Sequence, residues 1–270
     1  MKKNTSAWAL VTGASGGIGR EFACQLAAQG WNLVLASRGR DKLEALAAEL
    51  LASRKEDDFR VEVIPADLSQ PAAAAALHQA VRAKALAIDL LVNNAGAGMF
   101  GPLVDCEPVA IEAMLQLNVQ ALTSLCILFG KDMAARGSGS ILNVGSFAGN
   151  QATPYFAPYA ASKSYVLYFS LALRAELAPR GVRVTCLEPG YVSTAFDANA
   201  GIESARYLKF SESNSLPPAA VARAGLKAMS RNRPWYIPGF ANKFGAAFFG
   251  LLPITWPPRI MKSVLDGMKD

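Results

Sequence analysis

The 270-residue chain predicts a single doubly wound α/β domain, with a mostly parallel sheet and helices on both faces. Three observations carry this. Short β-branched runs alternate with longer helical patterns, as crossovers between parallel strands require. The strand runs are almost continuously apolar, as when both faces of a sheet are covered. Apolar side chains make up 52% of the chain and charged ones 18%, which supplies a large core and excludes disorder as the main state.

Ala9-Leu10-Val11-Thr12 reads as the first strand. A Gly-rich turn follows, then a helix over about 17–29 that stops at Gly30, a position suited to a glycine cap. Strand 31–36 leads to a helix over 41–53, with Asp41 near its start. Strand 61–65, an Ala-rich helix over 70–87, and strand 89–93 come next. A long apolar helical stretch covers 107–136, followed by strand 140–144, helix 158–178 and strand 182–187. Residues 218–230 and 235–237 read as a last helix and strand. No repeat, linker or composition break interrupts the chain before about residue 195.

Composition narrows the chemistry. The single histidine, His78, excludes HExxH metalloproteases, and a Ser-His-Asp triad unless His78 itself serves. Cys24, Cys106, Cys126 and Cys186 are scattered without zinc spacing and read as free buried thiols in a reducing compartment; no metal site is expected. Lys2 and Lys3 precede an apolar run, 7–11, too short for a signal-peptide core. No stretch reaches the ~18 consecutive apolar residues of a membrane span. A cytoplasmic location is the expectation. The net charge of +6 is uneven: residues 217–270 hold eight Lys and Arg against two acids, and the remainder balances.

Thr12-Gly13-Ala14-Ser15-Gly16-Gly17-Ile18-Gly19 joins the first strand to the first helix. Glycines let the backbone approach a pyrophosphate, and a helix N-terminus offers free N–H groups and a positive dipole. The GxxxGxG spacing departs from GxGxxG and lacks a P-loop lysine, so a bare tight turn stays as the alternative. At the end of the second strand, Ser37-Arg38 precedes any acid able to hold a ribose 2′-OH. Arg38 suits a 2′-phosphate, with Ser37 as hydroxyl donor, which favours NADP over NAD; a solvated loop arginine is the plain alternative. Tyr159 and Lys163, at i and i+4, share one helix face. The expectation is that the ammonium favours the phenolate, lowers the tyrosine from its usual ~10 and poises it as an acid/base.

With these motifs in place, residues 7–194 resemble the short-chain dehydrogenase/reductase family, and within it the chain looks like the DltE-like bacterial branch. Asp67-Leu68, Asn93-Asn94-Ala95-Gly96, Asn118, Asn143-Val144-Gly145-Ser146 and Pro189-Gly190-Tyr191-Val192-Ser193-Thr194 match further motifs in order. The resemblance implies a Rossmann domain that binds NADP and interconverts a ketone and a secondary alcohol. It implies that Ser146 holds the substrate carbonyl, Tyr159 is the acid/base and Lys163 holds the nicotinamide ribose. Asn118 would hold a water that links Lys163 to solvent. Asp67 and Leu68 would contact the adenine, and Val192 and Thr194 the carboxamide. Gly13, Ser15, Gly17, Ile18, Gly19, Asn94, Ala95, Gly96, Pro189 and Gly190 complete the implied cofactor set. Two departures stand out. Gly145 replaces the family's usual serine, and Tyr155 has no lysine four residues on, which ranks it as a pocket wall.

The expected organisation is a dinucleotide-binding and catalytic core over 1–194, a substrate lid over 195–217, and a final helix, strand and apolar, basic tail over 218–270. Phe196, Ile202, Tyr207, Leu208 and Phe210 make the lid apolar, and Met99, Phe100, Phe147 and Tyr155 are expected to face it. A lipophilic 3-oxoacyl or steroid-like substrate follows. A non-catalytic dinucleotide-binding regulator or scaffold is the alternative, although both Tyr159 and Lys163 are kept. Stretches 114–129 and 165–178 are apolar nearly all round, so a homodimer or homotetramer is expected and no nucleic-acid partner. The tail, 244–254 with Pro253, Trp256, Lys243, Arg259 and Lys262, has two readings. It packs over its own pocket or a sister subunit, or it makes a peripheral membrane contact through 243–262.

Overall fold

The computed structural model describes residues 7–54 and 58–268; Lys2, Lys3, Lys269 and Asp270, counted above, lie outside them. Seven strands form one parallel sheet: β1 (Trp8–Thr12), β2 (Asn32–Ala36), β3 (Val61–Val63), β4 (Ile88–Asn93), β5 (Gly139–Val144), β6 (Val182–Leu187) and β7 (Trp235–Tyr236). Their order, β3-β2-β1-β4-β5-β6-β7, reverses direction between β1 and β4. That reversal opens a crevice at the carboxyl ends of the strands, where open α/β sheets bind ligands.

Side-chain alternation explains the two layers. Leu10, Leu91, Ile141 and Val184 point to one face of the sheet and pack with α3 (Ala73–Ala83), α5 (Leu122–Arg136) and α6 (Ala157–Leu177). Their neighbours Val11, Val92 and Leu142 point to the other face, against α1 (Gly17–Ala28), α2 (Arg40–Ala52) and α9 (Pro218–Ser230). His78 belongs to the first layer: it is buried, Nε2 lies 2.8 Å from Asp132 Oδ2, and the ring meets the Phe129 edge at 4.9 Å. It is remote from the catalytic motifs and serves packing.

The 107–136 stretch is one helical rod in three parts: α4 (Pro108–Leu115), a π-helical segment Gln116–Ala121, and α5. By length and composition it could cross a membrane. Its inner face instead packs on the sheet through Leu125, Phe129 and Met133. The lid carries helices α7 (Phe196–Asn199) and α8 (Ala205–Asn214), and the tail forms α10 (Phe240–Leu251) and α11 (Trp256–Asp266), split around Pro253. The expectation of four buried thiols needs correction. Of the four thiols, Cys126 and Cys186 are buried and Cys24 and Cys106 only half-buried; burial pushes Cys126 up to about 12, which leaves it inert.

Candidate active site

The loop after β1 is held from β4. Thr12 Oγ1 donates to Val92 O (3.3 Å) and accepts the backbone N–H groups of Asn94 and Ala95, each at 3.0 Å. Asn94 Nδ2 donates back to Thr12 O at 3.0 Å. Thr12 therefore fastens two motifs together, a role its place in a strand does not announce. The crowding explains two glycines. Gly13 has φ +65° and a Cβ there would sit 2.8 Å from Asn94 Nδ2; a Cβ on Gly19 would sit 2.1 Å from Gly13 O. The first turn of α1 is left open, since Gly16 offers no side-chain cap. Thr194 closes over this loop, with its Cγ2 3.1 Å from where a Gly17 Cβ would stand.

At the end of β2, Ser37 Oγ is buried without a hydrogen-bond partner. Arg38 is exposed beside it, and Asp67 is held below the usual carboxylate range by hydrogen bonds from Ser69, with further help from Arg38. Leu68 packs its side chain into the core, which leaves its backbone for the expected adenine contact. An orphaned hydroxyl, a neighbouring guanidinium and an open helix N-terminus fit the phosphates of NADP.

Ser146, Tyr159 and Lys163 converge where β5 meets α6. Ser146 Oγ caps the turn that follows β5, accepting from Ala148 N at 3.2 Å, and lies near the Tyr159 side chain. Lys163 Nζ donates to Val144 O at 3.0 Å and lies 5.9 Å from the centre of the Tyr159 ring. The lowered tyrosine pKa expected from this pair is corrected here. Burial pushes Tyr159 up to about 12, with Ser146 opposing and Asp197 adding to the rise. Burial pushes Lys163 down to about 8. Both groups are enclosed, and at this separation desolvation outweighs their attraction. Among the described residues, Asn118 lies within the π-helical segment and is already engaged: Ala97 N donates to Oδ1 (3.0 Å), and Nδ2 donates to Ala97 O (2.8 Å) and Ser162 Oγ (3.1 Å). It clamps the Gly96 loop beside Lys163, and a Cβ on Gly96 would come within 3.2 Å of Nζ and 3.3 Å of Asn118 Oδ1.

The lid is closed over these groups. Phe196 lies 5.3 Å from the Tyr159 ring, and Phe156 5.9 Å on another side, leaving Tyr159 8% exposed. Ile202, Tyr207, Met99 and Phe100 join this apolar cluster as expected, but Phe147 packs beside Gly245 of α10, and Leu208 and Phe210 stay partly exposed. The sequence missed Phe156 and Leu265 of α11, which no local spacing connects to the site. Tyr155 does wall the cluster, 5.9 Å from Phe100, and its hydroxyl donates to Asp266 Oδ1 at 2.5 Å, tying the tail to the lid. Behind Pro189-Gly190, Glu188 is fully buried with neither carboxylate oxygen bonded; burial pushes it up to about 7, Asn150 opposing.

Residues 7–204 match the family described as short chain dehydrogenase. The very-long-chain 3-oxoacyl-CoA reductase of Podospora anserina is 39% identical over 196 residues, 72% of this chain and 56% of that protein. The chain thus spans a little over half the length of the curated relatives it matches. A short-chain dehydrogenase from Sphingobium yanoikuyae, solved in complex with NADPH, superposes with a TM-score of 0.80 at 32% identity, over 90% of this chain and 93% of that one. A 7β-hydroxysteroid dehydrogenase superposes at 0.84 with 25% identity, over 97% and 100%.

Proposed function

The chain belongs to the short-chain dehydrogenase family, and from that premise we propose that it is an NADP(H)-dependent oxidoreductase acting on a lipophilic ketone or secondary alcohol. The carrying observation is the convergence of Ser146, Tyr159 and Lys163 beneath an apolar lid. Gly13 to Gly19, Ser37 and Arg38 would hold the phosphate end of the cofactor, and Lys163 and Thr194 the nicotinamide end. When bound, NADPH supplies the hydride for the carbonyl carbon.

The protein's own part is proton placement. Tyr159 is a neutral phenol at physiological pH, so it donates from Oη to the carbonyl oxygen as charge develops there. Ser146 Oγ orients that oxygen, and the lid rings exclude water. Lys163, placed beside the Gly96 loop, carries the positive charge that stabilises the tyrosinate left behind. Asn118 positions Lys163 by clamping that loop with its side chain, which bonds Ala97 and Ser162, so a relay water held at Asn118 would use its backbone.

A 3-oxoacyl thioester is the preferred substrate class, supported by the names of the relatives and by Phe156, Phe196, Tyr207 and Leu265 around Tyr159. The likeness to the DltE-like branch does not enter this choice. Loss of NADPH absorbance with 3-oxoacyl-CoA esters of graded length tests it. Turnover that rises with chain length and vanishes in Tyr159→Phe supports the reading. Tight NADPH binding with no turnover on any ketone favours the regulator. Self-association through the outer faces of α5 and α6, where Tyr168 is 68% exposed, belongs to the same proposal.

A further inference from the structure

The C-terminal helices carry an outer face that the catalytic reading does not use. Phe240, Phe244, Phe248 and Leu251 fall at steps of four, four and three along α10, hence on one side. They are 86, 67, 48 and 85% exposed. Ile254 and Trp256, also exposed, carry the apolar surface through the Pro253 turn into α11. A soluble surface scatters such side chains singly, and a contiguous patch marks an interaction site.

The inner faces already hold these helices in place. Gly245 packs against Phe147, Leu265 is buried in the lid cluster, and Asp266 takes the Tyr155 hydroxyl. The outer aromatic row therefore does nothing for the fold. Its charge is one-sided. Lys243 and Arg259 are exposed beside it, and on α10 and α11 Lys243, Arg259 and Lys262 stand against one acid, Asp266. That acid also accepts from Lys262 at 2.5 Å.

We propose that the outer face of α10 and α11 docks on an anionic lipid bilayer, with the aromatic row at headgroup depth and Lys243 and Arg259 on the lipid phosphates. A second copy fits less well, because a two-fold contact would bring the same basic patch against itself, its one acid, Asp266, already paired with Lys262 and Tyr155. Twelve residues of α10 reach about 18 Å, too short to span a ~30 Å hydrocarbon core, so the contact is peripheral. This inference stands whether or not the chain is a reductase.

Co-sedimentation of the full chain with vesicles of phosphatidylcholine alone, and of phosphatidylcholine with phosphatidylglycerol, tests it. Binding is expected only with phosphatidylglycerol, falling steeply at 1 M salt, where the Debye length drops to ~3 Å. Trp256 emission should shift to the blue on the same vesicles. Lys243→Glu with Arg259→Glu should weaken binding about 25-fold or more, at roughly fivefold per basic residue. Phe244→Glu with Phe248→Glu should abolish it, with the melting transition retained. Absence of pelleting, equal pelleting on both vesicles, or binding unchanged in the charge-reversed variant overturns the proposal. So does a dimer that the phenylalanine variant dissolves in the absence of any vesicle binding, which assigns the face to a second copy.

Discussion

Gly145 and Glu188 share one space. A Cβ on Gly145 would lie 3.3 Å from Glu188 Cγ and 3.2 Å from Cys186 Sγ. The departure from the family's serine is thus coupled to the buried acid that ends β6. Gly145→Ser should destabilise the protein by about 1–3 kcal/mol through overpacking, and Glu188→Ala should recover part of that loss. A double-mutant cycle in urea measures it; strict additivity would mean that the two positions do not compete.

Glu188 gives a pH dependence of definite sign. Its folded pKa of about 7 lies above the ordinary 4.5, so the folded state holds a proton that the unfolded state releases. The contribution of Glu188 to stability is fully present below about 4.5 and is lost as pH rises through 7, by up to about 3 kcal/mol. Glu188→Gln should remove that slope, matching wild type near pH 4.5 and exceeding it near pH 8. Parallel denaturation curves at both pH values would remove Glu188 as the cause.

Lys163 sets a limit on the alkaline side. With a pKa lowered to about 8, the free protein loses its ammonium above that pH. NADPH affinity and kcat/KM for reduction should hold from pH 6 to about 7.5 and fall beyond 8, since kcat/KM reports the free enzyme. Titrating NADPH fluorescence across this range checks it; an unchanged Kd at pH 9 would show that the ammonium does not hold the cofactor.

Arg38 and the orphaned Ser37 hydroxyl should make NADPH bind more tightly than NADH by about 1.5–3 kcal/mol. Arg38→Asp should reverse the order, supplying an acceptor for the 2′-OH and repelling a 2′-phosphate. A wild-type preference for NADH would refute the assignment.

Self-association has a single-site test. Tyr168 on α6 is exposed, and Tyr165 stacks on Phe169 at 5.5 Å with its hydroxyl 2.9 Å from Thr123 Oγ1, which joins α6 to α5. Tyr168→Glu should halve the mass seen by light scattering at micromolar concentration. A wild-type monomer would refute the oligomer.

Local spacing in the sequence determined the sheet, the glycine cradle and the Tyr159–Lys163 face, because each depends on residues a few positions apart. Apolar runs mark strands covered on both sides, and an i, i+4 pair meets on any helix. The tertiary structure alone decided the rest. Thr12 ties β1 to β4 across 82 residues, and Tyr155 reaches Asp266 across 111. The tail became two helices because Tyr155, Phe147 and the lid gave it surfaces to pack on. Tyr159 titrates upward rather than downward for the same reason: Phe196 and Phe156 remove its water, and desolvation depends on which distant side chains finally enclose a group.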